Sequence, residues 1–122
     1  MSHSILVLDD DIHVRESLAI SLEDEDFEVY EVESSEEALS FLETQQVDLV
    51  VVDLRLPGMN GTDFIKEARQ KWPELKFIIY TGSPEFSIPI DLAEVPCVSN
   101  SIFLKPLPTC DVMVSEIRRM LG

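Results

Sequence analysis

The 122-residue chain is predicted to be an α/β protein: a doubly wound five-stranded parallel sheet with helices on both faces and an irregular fourth helix. Three observations predict it. Short apolar runs alternate with stretches of helical period, the pattern of parallel βαβ units. Several of those runs are apolar throughout, as strands covered on both faces are. No repeat, low-complexity run or interdomain linker interrupts the chain, so residues 1–122 read as one domain. A composition of 45% hydrophobic and 27% charged residues suits a chain with a buried core.

The strands are expected at Ile5–Leu8, Phe27–Val32, Leu49–Val52, Phe77–Tyr80 and Ile102–Leu104. Between the first two, Val14, Leu18 and Leu22 recur every four residues and predict a helix. Ala38 and Leu42 do so after the second strand, and Phe64, Ala68 and Trp72 after the third. Ser34-Ser35-Glu36-Glu37 offers a capping box, in which Ser34 accepts from the backbone near Glu37 and Glu37 reaches back. Pro57-Gly58-Met59-Asn60-Gly61 predicts a turn before the third helix. The fourth unit is interrupted by Pro84, Pro89 and Pro96, so the stretch from Ser83 to Ser101 is expected to be irregular. Met113, Ile117, Met120 and Leu121 give the final helix its apolar face, with Pro108 at its start.

Composition excludes several classes. A formal charge of −15 sets up a field that repels nucleic acid and anionic membrane, so no direct binding of either is expected. Cys97 and Cys110 belong to no metal-ligand spacing and read as reduced thiols. The amino terminus reaches Asp9 after four apolar residues, too few for a signal core or a membrane span, and a cytoplasmic location is expected. No glycine-rich phosphate loop follows the first strand.

In an open parallel sheet, ligands gather beyond the carboxyl ends of the strands. There the first strand delivers Asp9, Asp10 and Asp11, the third Asp53, the fourth Thr81 and the fifth Lys105. Each is unremarkable alone: an Asp pair after a strand is commonly a helix cap, and Thr81-Gly82-Ser83 is a loop. Their joint arrival on one rim is the inventory for a hard cation beside a phosphoryl group. Asp9, Asp10 and Asp53 are the candidate ligands for Mg2+ or Mn2+, together with a backbone carbonyl. Asp53 is the candidate nucleophile of the aspartyl-phosphate type. Lys105 and Thr81 are placed to neutralise and hydrogen-bond the phosphoryl oxygens.

These residues resemble the response-regulator receiver domains of two-component signalling, over essentially the whole chain. Ile5-Leu-Val-Leu-Asp9-Asp10-Asp11 is similar to the family's acidic-pair segment, and Asp48 to Gly61 to its phosphoacceptor loop. The resemblance implies a flavodoxin-like receiver fold. It implies Asp53 as the phosphorylation site, Asp9 and Asp10 as the acidic pair, Arg55 as a ligand through its backbone carbonyl, Thr81 as the switch hydroxyl and Lys105 as the phosphoryl-binding lysine. Lys105-Pro106 resembles a peptide the family often holds in cis. The implied partners are a sensor histidine kinase or phosphotransfer protein upstream and an effector domain or protein downstream, reached through a surface that switches on phosphorylation. The chain would not be a conventional enzyme, catalysing only its own phosphorylation from phosphohistidine and its own dephosphorylation.

Two departures stand out. Where the family commonly has Tyr or Phe, three residues before the lysine, this chain has Ile102, with Phe103 expected on the opposite face. The proline-rich fourth unit also replaces part of the family's usual output surface. Arg55 and Ser83 flank the acceptor and the hydroxyl, where they would govern access of hydrolytic water. Two rival readings are a receiver fold that only binds a partner, and an aspartyl-phosphate phosphatase. The latter wants a second Asp two residues after the nucleophile, where Arg55 stands. Magnesium binding, followed by Trp72 fluorescence or NMR, would separate the first.

Overall fold

Alternation along the strands divides the core into two halves. In a computed structural model that describes residues 3–82, 98–105 and 111–121, with only the backbone at 98–102 and 104, the first strand β1 (Ser4–Leu8) sends Leu6 and Leu8 to one face and Ile5 and Val7 to the other. The strands β2 (Glu28–Val32), β3 (Leu49–Val52), β4 (Lys76–Thr81) and β5 (Val98–Leu104) complete a parallel sheet in the order β2-β1-β3-β4-β5. This is the flavodoxin-like doubly wound order, with crossovers that put helices on both faces. Side chains of β1 to β4 are fully described, while β5 joins through its backbone pairing with β4.

The helices among the described residues are α1 (Ile12–Glu23), α2 (Ser35–Thr44), α3 (Gly61–Lys71) and α4 (Asp111–Leu121). Ala38, Leu42, Phe64, Ile65 and Ala68 from α2 and α3 cover the Leu6 face. Leu18, Leu22, Met113, Val114 and Ile117 from α1 and α4 cover the Ile5 face. Phe64 meets Phe77 edge-on at 6.2 Å, locking α3 to β4.

The predicted periods therefore land on the buried faces, with limits that packing sets. Phe27 is buried but precedes β2, Val14 is only half-buried, and Trp72 is the half-buried C-cap of α3. Ser34 caps α2 by accepting the Glu37 N–H at 3.1 Å, whereas no return bond from Glu37 exists among the described residues. Instead Glu36 reaches out and accepts the Met59 N–H at 3.1 Å, which ties α2 to the loop before α3.

One expectation is corrected: residues 98–101, read as irregular, belong to β5. Pairing runs from Phe77 with Val98 to Ile79 with Ile102, so extra residues of β5 are taken up as a bulge. Pairing of Val98 and Ile102 with β4 on either side carries Ser99-Asn100-Ser101, which would not organise a strand alone, within β5. The expected irregular fourth helix, Ser83, Cys97, Pro106, Pro108 and Cys110 lie outside the described residues. Trp72 lines a cavity of about 780 Å³ with Asp48 and Lys76, at the start of the strands and at the pole away from Asp53. It is therefore a poor reporter of events at the strand ends. Among the described residues, no helix is long and apolar enough to cross a membrane.

Candidate functional site

Strand register brings the rim together. Leu8 pairs with Val52, so the next residues, Asp9 and Asp53, leave the sheet side by side, and the Asp53 N–H donates to the Leu8 carbonyl at 3.0 Å. Thr81 pairs with Leu104, and the Lys105 N–H donates to the Thr81 carbonyl at 3.0 Å. Three different strands thus deliver Asp9, Asp53 and Lys105 to one place, although 52 residues separate Asp53 from Lys105 in sequence.

The Lys105 ammonium lies 2.5 Å from Asp9 Oδ2 and 3.1 Å from Asp53 Oδ2, bridging the two acids. Their other oxygens are also bonded: Asp9 Oδ1 accepts the Asp11 N–H at 2.9 Å, and Asp53 Oδ1 accepts the Arg55 N–H at 3.2 Å. Asp9 and Asp53 are 2% and 5% exposed, burial that an ionised carboxylate tolerates only with such partners. Asp10 is exposed, and its carboxylate shares with those of Asp9 and Asp53 a cluster whose oxygens lie within 4.8 Å of one another. The Lys105 ammonium also lies over the Tyr80 ring, with Nζ 5.6 Å from its centroid.

Asp11 is not part of this cluster. It caps α1, accepting the His13 and Val14 N–H groups at 2.9 and 3.3 Å, and the Val14 bond holds its carboxyl below the usual range. The capping role that an Asp run commonly serves falls to Asp11, which leaves Asp9 and Asp10 facing the rim.

Burial pushes the Asp53 carboxyl above its ordinary value, against the Lys105 ammonium, with the Asp9 charge adding to the rise. Burial also pulls Lys105 downward, but the hydrogen bond to Asp9 and the charges of Asp53 and Asp9 outweigh it, so the ammonium is held above its ordinary value. Asp53 is thus a carboxylate that the site does not fully compensate.

The donor set fits a hard divalent ion. All three side chains offer carboxylate oxygens, the ligand class of Mg2+ and Mn2+. Three carboxylates against one ammonium leave two formal negative charges, which one divalent cation neutralises. Thr81, wholly buried, ends β4 on the same rim, while Gly82 is exposed and a Cβ there would meet only Lys105 Cδ at 3.9 Å. The Arg55 side chain is exposed, and its N–H is the atom that touches Asp53. Phe103 is buried on the α1 and α4 face beside Tyr80, so the aromatic ring near Lys105 belongs to the core.

Two residues beside the rim have contacts that the motifs do not reveal. Gly61 opens α3 directly against Asp53: a Cβ there would lie 2.4 Å from the Asp53 carbonyl oxygen and 2.8 Å from Leu54 Cα. The other is Arg15, whose Nη1 donates to the Asp9 carbonyl at 2.7 Å. Its signal was present in the helical period, because 15, 18, 19 and 22 share a face and Leu18, Ala19 and Leu22 are buried.

A family model described as the response regulator receiver domain matches residues 5–113. The hydrogenase transcriptional regulatory protein HoxA of Cupriavidus necator is 39% identical over 79 residues, which cover 65% of this chain and 16% of that protein. A protein-glutamate methylesterase/protein-glutamine glutaminase of Paramagnetospirillum magneticum is 34% identical over 124 residues, covering 97% of this chain and 35% of its own. The chain therefore spans about a third or less of these curated relatives. Among solved structures, the response regulator TrrA of Thermotoga maritima, in complex with Mg2+ and BeF, superposes with a TM-score of 0.85 at 27% identity, covering 99% of this chain and all of that one.

Proposed function

The chain belongs to the response regulator receiver domain family, and from that premise we propose that it is a phosphoacceptor that takes a phosphoryl group onto Asp53 and thereby switches a protein-interaction surface. The observation that carries this reading is the bridge of Lys105 across Asp9 and Asp53, with Asp10 in the same acid cluster. The reading treats residues 1–122 as one receiver domain working in the cytoplasm.

Asp9, Asp10, Asp53 and the Arg55 backbone carbonyl would hold Mg2+ or Mn2+, which supplies charge neutralisation at the phosphoryl oxygens when bound. Asp53 attacks phosphorus through a carboxylate oxygen. The new O–P bond forms as the P–N bond of a donor phosphohistidine breaks, and the imidazole nitrogen leaves with that electron pair. Lys105, already hydrogen-bonded to the nucleophile, follows the charge from the carboxylate to the phosphoryl oxygens. Thr81 donates to another of those oxygens, and its inward movement repacks the loops after β4 and β5. Hydrolysis reverses the modification, water replacing Asp53 on phosphorus. Arg55, exposed beside the acceptor, governs the approach of that water. The donor is a sensor histidine kinase or phosphotransfer protein, and the recipient of the switch is an effector domain or protein.

A small phosphodonor such as acetyl phosphate, supplied with Mg2+, is expected to label the wild-type chain and not Asp53→Asn. Undiminished labelling of Asp53→Asn would remove the assignment. A folded wild-type chain that binds Mg2+ and stays unlabelled would point instead to the pure interaction module.

A further inference from the structure

The guanidinium of Arg15 heads the buried stripe of α1, and its side chain is only 12% exposed. One arm donates to the Asp9 carbonyl at 2.7 Å, and Nε lies 3.3 Å from Glu31 Oε1 on β2. Resting on the cation-and-phosphoryl reading above, we infer that Arg15 and Glu31 form a positioning pair that holds the acid-pair loop in its cation-binding shape.

The carbonyl that Arg15 grips is the peptide link between Asp9 and Asp10. Because a peptide is planar, its orientation also fixes the N and Cα of Asp10. That matters for Asp10 in particular. Asp9 is bonded at both carboxylate oxygens, whereas among the described residues no hydrogen bond or ion pair holds the exposed Asp10 carboxylate. The aim of Asp10 towards Asp9 and Asp53 therefore depends on the backbone beneath it.

Arg15 steadies that backbone from a second element. Its own N–H donates to the Asp11 carbonyl at 2.9 Å, so the residue that closes the first turn of α1 also reaches back over the loop. Glu31 orients the fork from β2, and the Asp9 N–H donates to the Val32 carbonyl at 3.2 Å, so the loop is pinned to β2 twice. A planar guanidinium engages two partners at fixed geometry, which a lysine does not reproduce. Arg15 touches neither the phosphoryl group nor the ion; it acts through Asp9 and Asp10.

The test is Mn2+ affinity by electron paramagnetic resonance, beside acetyl phosphate labelling titrated with Mg2+, on the full chain. Arg15→Ala is expected to weaken Mn2+ roughly tenfold, the lower end of what outer-shell changes cost. The Mg2+ midpoint for labelling should rise in parallel while the plateau at saturating Mg2+ stays within about twofold of wild type, as expected for a change in binding alone. Arg15→Lys and Glu31→Gln should fall between the two. Equal Mn2+ affinity in wild type and Arg15→Ala overturns the inference, as does a plateau that falls with no midpoint shift. Where Arg15→Ala does not fold, Arg15→Lys decides: an unchanged affinity overturns the inference and a weakened one with a retained plateau supports it. Asp10→Asn controls for the site itself. If Asp10→Asn weakens Mn2+ and Arg15→Ala does not, only the inference falls; if wild type and Asp10→Asn bind equally, or neither binds, the site reading falls with it.

Discussion

At the residue scale the site is an acid excess held by one lysine, and burial works against the charge of Asp53. Its carboxyl is raised chiefly by burial, with Lys105 opposing and Asp9 reinforcing. A carboxyl whose folded value exceeds its unfolded one adds stability below the unfolded value, about pH 4, and loses it as pH climbs through the folded value. Without divalent ions, ionising Asp53 is thus a net cost to the fold. Asp53→Asn keeps the shape, removes the charge and leaves Lys105 its bond to Asp9. Thermal melts in chelator are expected to show the Asn variant above wild type at pH 7, with the gap closing as pH falls towards 4. An Asn variant that melts lower at pH 7 would mean that the Lys105 bond outweighs the burial.

At the element scale, most of the fold was legible because the strands are short apolar runs whose carboxyl ends carry the polar residues. Asp9, Asp53, Thr81 and Lys105 were readable for that reason, since each directly follows or ends a run. Three features were not. Residues 98–101 are drawn into β5 between the Val98 and Ile102 pairings to β4, a long-range constraint that local pattern does not carry. Arg15 looks like an ordinary helical arginine until its face is counted. Gly61 looks like turn punctuation, yet what demands glycine there is close approach. Alanine in a helix is favoured over glycine by about 1 kcal/mol, which taken alone makes Gly61→Ala stabilising. Against that, the added Cβ meets the Asp53 carbonyl at 2.4 Å, Leu54 Cα at 2.8 Å and Val52 Cγ1 at 2.9 Å, and the first two are backbone atoms that cannot rotate away. Overpacking of this kind costs about 1–3 kcal/mol or more, so the clash wins. Gly61→Ala is expected to lower stability by up to about 2 kcal/mol in urea, the difference of those two effects, and to weaken Mn2+ because the displaced carbonyl is that of Asp53. A variant as stable as wild type would show that α3 moves freely relative to β3.

For the whole molecule the governing quantity is the formal charge of −15. Self-repulsion on that scale destabilises the compact state and is screened by any salt, whereas the acid cluster at the rim, on the function proposed above, would select a divalent ion by position. The two effects separate by titration. Raising NaCl should stabilise the metal-free chain gradually, and equally in wild type and Asp10→Asn, because screening ignores the site. Mg2+ at matched ionic strength should add a further increment in wild type, about 1.4 kcal/mol when free Mg2+ reaches ten times its Kd. The increment should keep growing with the logarithm of free Mg2+ above Kd, as one-site binding to the folded state requires, and should shrink in Asp10→Asn, where one cluster carboxylate is gone. If NaCl and MgCl2 at equal ionic strength stabilise the protein equally, magnesium is acting only as screening, and the three carboxylates hold no ion despite sharing one rim.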